Sequence, residues 1–437
     1  MLPTSPTHTY LEALLQSELD HHAAIVRARA YHSGRQPVAL NPRLQTFLTT
    51  GIALNLSRAV ITAITERLHL TALTAADPAA HTTLADLWHT ADLALTAARI
   101  HEWALRDGEA FLLIDWDTAH QRPRFTPHPR YTDTAAGGDG YGIFTLPTDD
   151  APDGPPTAFV KQWTERVSGL SKLAYRQRRT LYYPDRIERY AHTASGWQPL
   201  GPHTPWKTAT GQPLGHAAIH FTNPDLRPEA TDALPIQDAL NKTLADLLAT
   251  ADLSAFQILV ALGWLPTSDG REPRPDGSNW LKLEPGQIIG TTRPKTDADL
   301  KAITPGSLDP LLNLAQQLVL WLALVSDTPV HRFITTRQIA SEATLRQQEE
   351  PLLAKIRARQ MRLTPAWITA ARLALRLHNR YGVRRAPIDD TTAITPRWAP
   401  LEARRDQTTL AEWRLKADLG LPRDLLLREM GYEQPVS

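Results

Sequence analysis

Two aspartates, Asp115 and Asp117, come nearest in this chain to a catalytic pair by type and spacing. They follow an apolar run, 110–114, that is typical of a buried strand, and residues two apart on a strand share one face. Two carboxylates on one face could hold Mg²⁺ for nuclease chemistry. Because no basic partner for general-acid chemistry stands out nearby, solvated acids at the end of a strand are the favoured interpretation.

The histidines raise the question of a metal site, because the chain has 16 of them and Asp20, His21 and His22 form the densest group. Adjacent residues on a helix do not face one another, so His21 and His22 cannot chelate one ion from a single helix. The chain has no cysteine, which excludes disulfides and cysteine zinc sites. The glycine cluster 137–142 lacks the dinucleotide-binding spacing. The sequence therefore predicts no catalytic residue, no metal and no cofactor.

A basic segment, 351–385, carries nine lysines and arginines and no acidic residue. It is compatible with a solvated helix face or an interface whose arginines pair with acids on a neighbour. It is also compatible with a surface that contacts DNA. An apolar stripe in the same segment, which includes Ile356 and Trp367, must be buried in either case. The interface or solvated face is the favoured interpretation.

The elements that position these residues begin with helices and continue with strands. Apolar spacing predicts helices over 8–30, 55–68 and 82–106, and then a mostly antiparallel sheet up to about residue 222. Two long helices, 234–252 and 309–325, flank a small β-rich insert with strands at 256–264 and 280–291. An elongated chain of this kind must bury its apolar stripes against copies of itself or against a partner.

Prolines and caps mark the later helices. Pro329 ends the helix over 309–325, and Pro351 indicates a kink or a restart. Thr364 and Pro365 predict the N-cap and first turn of a new helix. The segment 409–412 is a capping box that opens a short C-terminal helix.

The composition bounds the class of protein. Lysine plus arginine (47) nearly equals aspartate plus glutamate (46) among 437 residues, whereas a protein that grips DNA over a long footprint is usually more basic. This balance is compatible with DNA that passes without being held. The first residues show no basic region followed by an apolar core, so secretion is not expected. The most apolar window, 311–325, is shorter than the ~20 residues that a membrane span needs, so no membrane contact is expected.

An ordered set of segments resembles the siphophage-type portal proteins of tailed bacteriophages over residues 10–432. The most specific segment reads Pro235-Ile-Gln-Asp-Ala-Leu-Asn-Lys-Thr-Leu-Ala-Asp246. The others are Tyr31-His-Ser-Gly-Arg-Gln-Pro37, 55–68, Trp88, Ala104-Leu-Arg-Asp-Gly108, Asp327-Thr-Pro329, Ser341-Glu-Ala-Thr-Leu-Arg346, Gln360 and Trp367.

The resemblance implies an α+β, mainly helical portal fold. Its parts would be a wing (1–231), a stem helix (232–255), a β-rich clip (256–307), a second stem helix (308–326), a tunnel loop (327–340), further wing helices (341–408) and a short helical crown (409–437). Compared with larger relatives, both the clip and the crown are short.

The resemblance also implies site residues. The DNA-facing tunnel loop would include Thr328, Val330, His331, Arg332, Thr335, Thr336 and Arg337. The stem and oligomer interface would include Leu240, Leu244, Leu247, Leu248, Leu318 and Leu322. The clip residues that dock the packaging motor would include Trp264, Arg271, Arg274, Trp280 and Lys282.

The function that follows is a non-enzymatic ring, usually of twelve subunits, at one capsid vertex of the virion. Double-stranded DNA would be packaged and ejected through it, after assembly in the host cytoplasm. Its partners would be the terminase large subunit, head-completion or connector proteins, and the major capsid and scaffolding proteins. Two alternatives stay open at this point: a magnesium-dependent DNA-processing enzyme that uses Asp115 and Asp117, and a virion adaptor that does not form a ring.

Overall fold

The computed structural model describes most of the chain in segments. They are residues 11, 19–37, 53–132, 142–146, 156–167, 174–254, 258–262, 274–276, 278, 294, 296, 299–303, 307–334, 342–383, 386–401, 407–422 and 426. The helices in these segments are α1 (Leu19–His32), α2 (Leu56–Thr65), α3 (Pro78–Thr90), α4 (Leu93–Asp107), α5 (Leu234–Ser254), α6 (Asp309–Val325), α7 (Glu342–Tyr381) and α8 (Gln407–Asp418).

The strands of the described residues pair antiparallel throughout. They are β1 (Leu70–Ala75), β2 (Glu109–Asp117), β3 (Arg122–Pro129), β4 (Gly142–Leu146), β5 (Ala158–Val167), β6 (Ala174–Tyr182), β7 (Arg186–Thr193), β8 (Gly196–Pro199), β9 (Thr204–Pro205), β10 (Ala218–Thr222), β11 (Ile258–Leu262), β12 (Asp299–Ile303) and β13 (Ile394–Trp398). The largest sheet has the order β4-β5-β6-β7-β8, with β9 beside β7. A second sheet has the order β10-β2-β3, and β1 pairs with β13 and β11 with β12. The chain is thus α+β, as predicted.

The main core lies where α4 and α7 pack on the three-stranded sheet. Trp367 of α7 is fully buried there, and its indole N–H donates a hydrogen bond of 2.9 Å to Nε2 of His101 on α4. Nδ1 of His101 donates to the carbonyl oxygen of Leu68 at 3.1 Å, which fixes the neutral tautomer. Burial lowers the pKa of His101 to about 4.

Gly108 ends α4 and permits a close approach of two backbone segments. Its φ of +90° is left-handed, a conformation that glycine adopts without strain. A Cβ at this position would lie 2.1 Å from the carbonyl oxygen of Leu226. The Asn223 N–H donates to the carbonyl of Gly108 at 2.8 Å, and the Glu229 N–H donates to that of Leu105 at 2.8 Å. The loop 223–229 is therefore seated on the C-terminus of α4.

Two predictions about helices are wrong. The helix expected over 82–106 is divided into α3 and α4, with Asp92 between them in a left-handed conformation (φ +48°). The helix start expected at Thr364 and Pro365 does not occur, because α7 continues through Pro365. It also continues through Pro351, where a kink or a restart was expected, so there is no restart at that proline. Each proline in a helix interior costs about 3 kcal/mol. Burial of the apolar stripe on either side, including Leu352, Ile356 and Leu363, offsets that cost.

In the insert between α5 and α6, the structure describes one strand pair. Ile258 pairs with Ile303 and Leu262 with Asp299, so the two ends of the insert meet. The first strand agrees with the prediction over 256–264, whereas β12 was not predicted. The strand expected over 280–291 lies outside the described residues.

Candidate functional site

Helices α5 and α6 form a hairpin with an apolar seam. Leu240 of α5 packs with Leu318 and Val319 of α6, and these side chains are at most 7% exposed. Leu322 is fully buried against Val60 of α2. Leu240, Leu318 and Leu322, which were expected in the stem or at the oligomer interface, are therefore buried by contacts within one chain. Leu244 is half-buried against the same seam, and Leu247 and Leu248 are half-buried.

The face of α6 opposite the seam is uncovered, and the second half of the helix, 318–325, is apolar on every side, whereas the first half exposes Asn313, Gln316 and Gln317. Leu324 is 75% exposed and Trp321 is 51% exposed. The other large apolar side chains exposed on this helix are Leu312, Leu314, Leu320 and Val325. Asp309, in the first turn, is the one charged residue of α6. A helical segment that is apolar on all sides is normally buried on all sides, so the exposed face of 318–325 calls for a partner surface.

The segment that follows α6 is anchored to the rest of the chain; we call residues 326–334 the root. Thr328 is 3% exposed, and its N–H donates to the carbonyl of Ala323 at 3.0 Å. Phe333 packs into the apolar contacts that join α2, α5 and α6. Thr328 was expected to face DNA, and its burial corrects that expectation.

The basic residues of the root pair with acids of the same chain. Nη1 of Arg332 donates to Glu66 at 2.7 Å. His331 lies 3.6 Å from Glu349, which also accepts a hydrogen bond of 2.7 Å from Arg67. His331 and Arg332 are thus engaged by carboxylates, a different arrangement from the free phosphate contacts expected of them. Val330 is half-buried, and Thr335, Thr336 and Arg337 lie outside the described residues.

The basic side of α7 is also paired largely within the chain. Lys355 and Arg359 reach the buried carboxylate of Glu229, at 3.2 and 2.9 Å. Arg357 pairs with Glu350 and Arg376 with Asp390, and Arg362 donates to the carbonyl of Thr222. This arrangement favours the structural interpretation of the basic segment over direct contact with DNA.

The two candidate metal-binding groups have other roles. Asp115 accepts a hydrogen bond of 2.9 Å from Nε of Arg124 across the β2–β3 pair. Asp117 caps the following turn by accepting from the backbone N–H groups of Ala119 and His120. Within the described segments no three histidine, aspartate or glutamate side chains are grouped to bind a metal ion.

His21, from the second candidate metal-binding group, contacts the buried carboxylate of Glu109 together with His220. Nε2 of His21 lies 2.8 Å from Oε1 of Glu109, and Nε2 of His220 lies 2.6 Å from its Oε2. Burial acts to raise the pKa of Glu109, but the charge of Arg130 and hydrogen bonds to both histidines hold it well below its usual value. Sequence reasoning missed Glu109 and Glu229, because a single acid beside a predicted element is typical of a solvated surface.

Among the expected clip residues, Arg274 is exposed. Trp264, Arg271, Trp280 and Lys282 lie outside the described residues. None of the helices in the described part of the chain is both long and apolar enough to cross a membrane.

Comparison with known proteins places this chain in a family. Residues 178–431 match the family model described as phage portal protein, SPP1 Gp6-like. The chain therefore belongs to the phage portal proteins, a structural rather than enzymatic family of head-to-tail connectors. No curated protein matches it.

Solved structures of low sequence identity also match. A chain of the virion of the native gene transfer agent particle is 14% identical, with 94% of this chain and 99% of that chain covered and a TM-score of 0.42. A chain of the neck of the empty particle, computed with C6 symmetry, is 14% identical, with 92% and 96% covered and a TM-score of 0.45.

Proposed function

We propose that copies of this chain form a closed ring, of twelve subunits, at one vertex of a virus capsid. Double-stranded DNA enters and leaves through the central tunnel of the ring. The observation that carries the proposal, beside the family, is the uncovered apolar face of α6. In a ring, each copy covers this face with the adjacent copy, whereas a single copy would leave it in water.

The α5–α6 hairpin serves as the stem in this proposal. Its seam of Leu240 and Leu318 makes each subunit's stem a stable unit before assembly. Its outer face, with Trp321 and Leu324, then supplies the apolar area that joins neighbouring subunits. Leu244, Leu247 and Leu248 are half-buried in a single subunit and contribute what remains of their surface to the same contact.

The DNA-facing segment is shorter than the sequence suggested. Because the root 326–334 is occupied by contacts to its own chain, the part that faces the DNA is 335–340, with Thr335, Thr336 and Arg337. One cation and two hydroxyls are suited to a passing duplex, since each phosphate contact adds affinity that would slow its movement. The near-neutral charge of the chain is consistent with weak contact.

The remaining parts follow the same division. Residues 1–231 and 341–408 are the wing, 256–307 the clip that docks terminase and connector proteins, and 409–437 the crown. Trp264, Arg271, Arg274, Trp280 and Lys282 are the clip residues proposed to meet the motor. The ring is inserted in the shell of major capsid and scaffolding proteins and stays in the virion, without enzymatic activity of its own.

A matched pair of substitutions tests this function. Leu324→Glu places a charge on the uncovered face of α6, and Leu95→Glu makes the same change at a leucine that is 62% exposed on α4. By negative-stain microscopy we expect rings from the natural chain and from Leu95→Glu. We expect only smaller species from Leu324→Glu, with unchanged circular dichroism. Rings from Leu324→Glu at the normal yield would overturn the assignment of the α6 face.

A further inference from the structure

The charged side chains of Glu229, Lys355 and Arg359 meet next to the start of the root, at the C-terminus of α6. Glu229 is 4% exposed in its side chain, and the side chains of Lys355 and Arg359 are 13% and 15% exposed. Arg359 donates to both carboxylate oxygens of Glu229 at 2.9 to 3.1 Å, and Asn223 donates to one of them at 3.1 Å. Burial acts to raise the pKa of Glu229, but the charges of Lys355 and Arg359 bring it below its usual value. The cluster is thus a paired, buried set of charges.

Lys355 connects this cluster to the end of the stem. Its Nζ donates a hydrogen bond of 2.7 Å to the carbonyl oxygen of Ser326, the residue that caps α6. It also lies 3.3 Å from the carboxylate of Asp327. A cation at the C-terminus of a helix is favourable, because the last carbonyl groups carry partial negative charge.

Asp327 is the point at which the chain changes direction. Its φ of +48° is left-handed, a conformation that aspartate adopts more often than most residues other than glycine. The contacts of Lys355 to Ser326 and Asp327 lie on both sides of this peptide unit. These two contacts hold the backbone in one direction as it leaves α6.

The outer part of the root is attached by more exposed pairs. The Arg332–Glu66 pair has side-chain exposures of 27% and 49%, and the His331–Glu349 contact of 3.6 Å has 30% and 24%. Exposed ion pairs contribute little to stability and are screened by salt, whereas loss of one partner from a buried pair is costly. The charged contacts of the root are therefore strong in its inner part, 326–329, and weak in its outer part, 330–334, where the packing of Phe333 is the main attachment.

We propose that Lys355 is the positioning residue of the tunnel. Fixed by Glu229, it sets through Ser326 and Asp327 where the DNA-facing segment leaves the stem. In the outer part, 330–334, Phe333 stays packed, and the chain around it detaches and reattaches as the Arg332–Glu66 pair opens and closes. The inference rests on the proposed function in that 335–340 faces the DNA.

Hydrogen exchange read by mass spectrometry tests the positioning role in the assembled protein. Lys355→Met should raise the exchange rate of amides in both parts of the root by about tenfold or more. Glu66→Gln should raise it in 330–334 only. Arg357→Met, which removes an exposed cation from the same helix, should change neither part. Unchanged exchange at 326–329 in Lys355→Met would overturn the proposal.

A salt titration of the natural chain gives the same test without a substitution. We expect 1 M NaCl to raise exchange in 330–334 and to leave 326–329 protected, because salt screens the exposed pairs and hardly reaches the buried ones. Opening of both parts at the same salt concentration would contradict the two-part root.

A packaging assay then separates positioning from assembly. Rings of Lys355→Met should form at the normal yield and package less DNA, whereas Arg357→Met rings should package normally. Normal packaging by Lys355→Met would remove the positioning role. If the natural chain forms no ring, the proposed function fails, while the exchange experiment still decides what Lys355 holds.

Discussion

The side-chain oxygen of Gln237 accepts a hydrogen bond of 2.9 Å from the backbone N–H of Leu56, 181 residues earlier in the chain. It also accepts from the N–H of Ser57 at 3.3 Å, so a residue of α5 satisfies the free donors at the start of α2. Asn241, one turn further along α5, accepts from the N–H of Leu54 at 2.9 Å. The two amides therefore fix the rotation of α5 relative to α2.

Gln237→Leu should destabilise the chain by about 1–3 kcal/mol, because it leaves two backbone donors at the start of α2 without their acceptor. Gln237 is fully buried, so water cannot replace it. Denaturant unfolding measures the loss. Lys242→Met, at an exposed position of the same helix, is the control and should change the free energy of unfolding little. Equal stability of Gln237→Leu and the natural chain would contradict this role.

Gly108→Ala should be far more damaging than Gly211→Ala, although both glycines have a positive φ of +90° and +85°. The left-handed conformation costs an alanine about 1–2 kcal/mol at either position. At Gly108 the new Cβ would also collide with the carbonyl of Leu226, whereas a Cβ at Gly211 would meet nothing within 4 Å. Soluble yield and melting temperature of the two variants measure the difference. Similar values for both would mean that the loop 223–229 moves away easily.

His101 should make the chain less stable as the pH falls from 6.5 to 4. Its pKa is about 4 in the folded chain and 6.5 by its ordinary value, so only the unfolded state binds the proton in this range. The stabilisation that comes from the lowered pKa of His101 is complete above pH 6.5 and is lost on acidification. It amounts to about 3 kcal/mol at most.

The comparison with His101→Gln tests this pH dependence. Between pH 6.5 and 4 the free energy of unfolding of the variant should fall less steeply with falling pH than that of the natural chain. The difference between the two slopes corresponds to at most one proton bound on unfolding. His89→Gln, at an exposed histidine of α3, should keep the slope of the natural chain. Parallel curves for His101→Gln and the natural chain would show that His101 is protonated in the folded state.

The sequence predicted the elements whose signals are local. Apolar periodicity located α5 and α6, and Asp107 followed by Gly108 located the end of α4. The β1–β13 pair was missed because its strands are short and far apart: Thr74 bonds to Thr395, 321 residues along the chain. Pro396 inside β13 also argues against a strand, and it is tolerated because the sheet has only two strands.

The elements of the candidate site could be predicted from the sequence, whereas the pairing of its charged side chains could not. The ordered segments predicted a stem hairpin and a loop, and that order cannot distinguish a free arginine from a paired one. Arg332 was expected to contact phosphate because it lies in the loop. Its pairing with Glu66 was missed because Glu66 is remote in sequence. Lys355 was one of nine cations in the basic segment, and only the fold brings it to Ser326. Such pairings depend on tertiary contacts, which periodicity does not report.

Native mass spectrometry of the purified chain at capsid-assembly ionic strength tests the ring most directly. We predict one dominant species whose mass is twelve times 48.6 kDa, and its loss in Leu324→Glu under the same conditions. A chain that stays at the mass of a single copy would contradict the account, because the apolar face of α6 would then have no neighbouring copy to cover it.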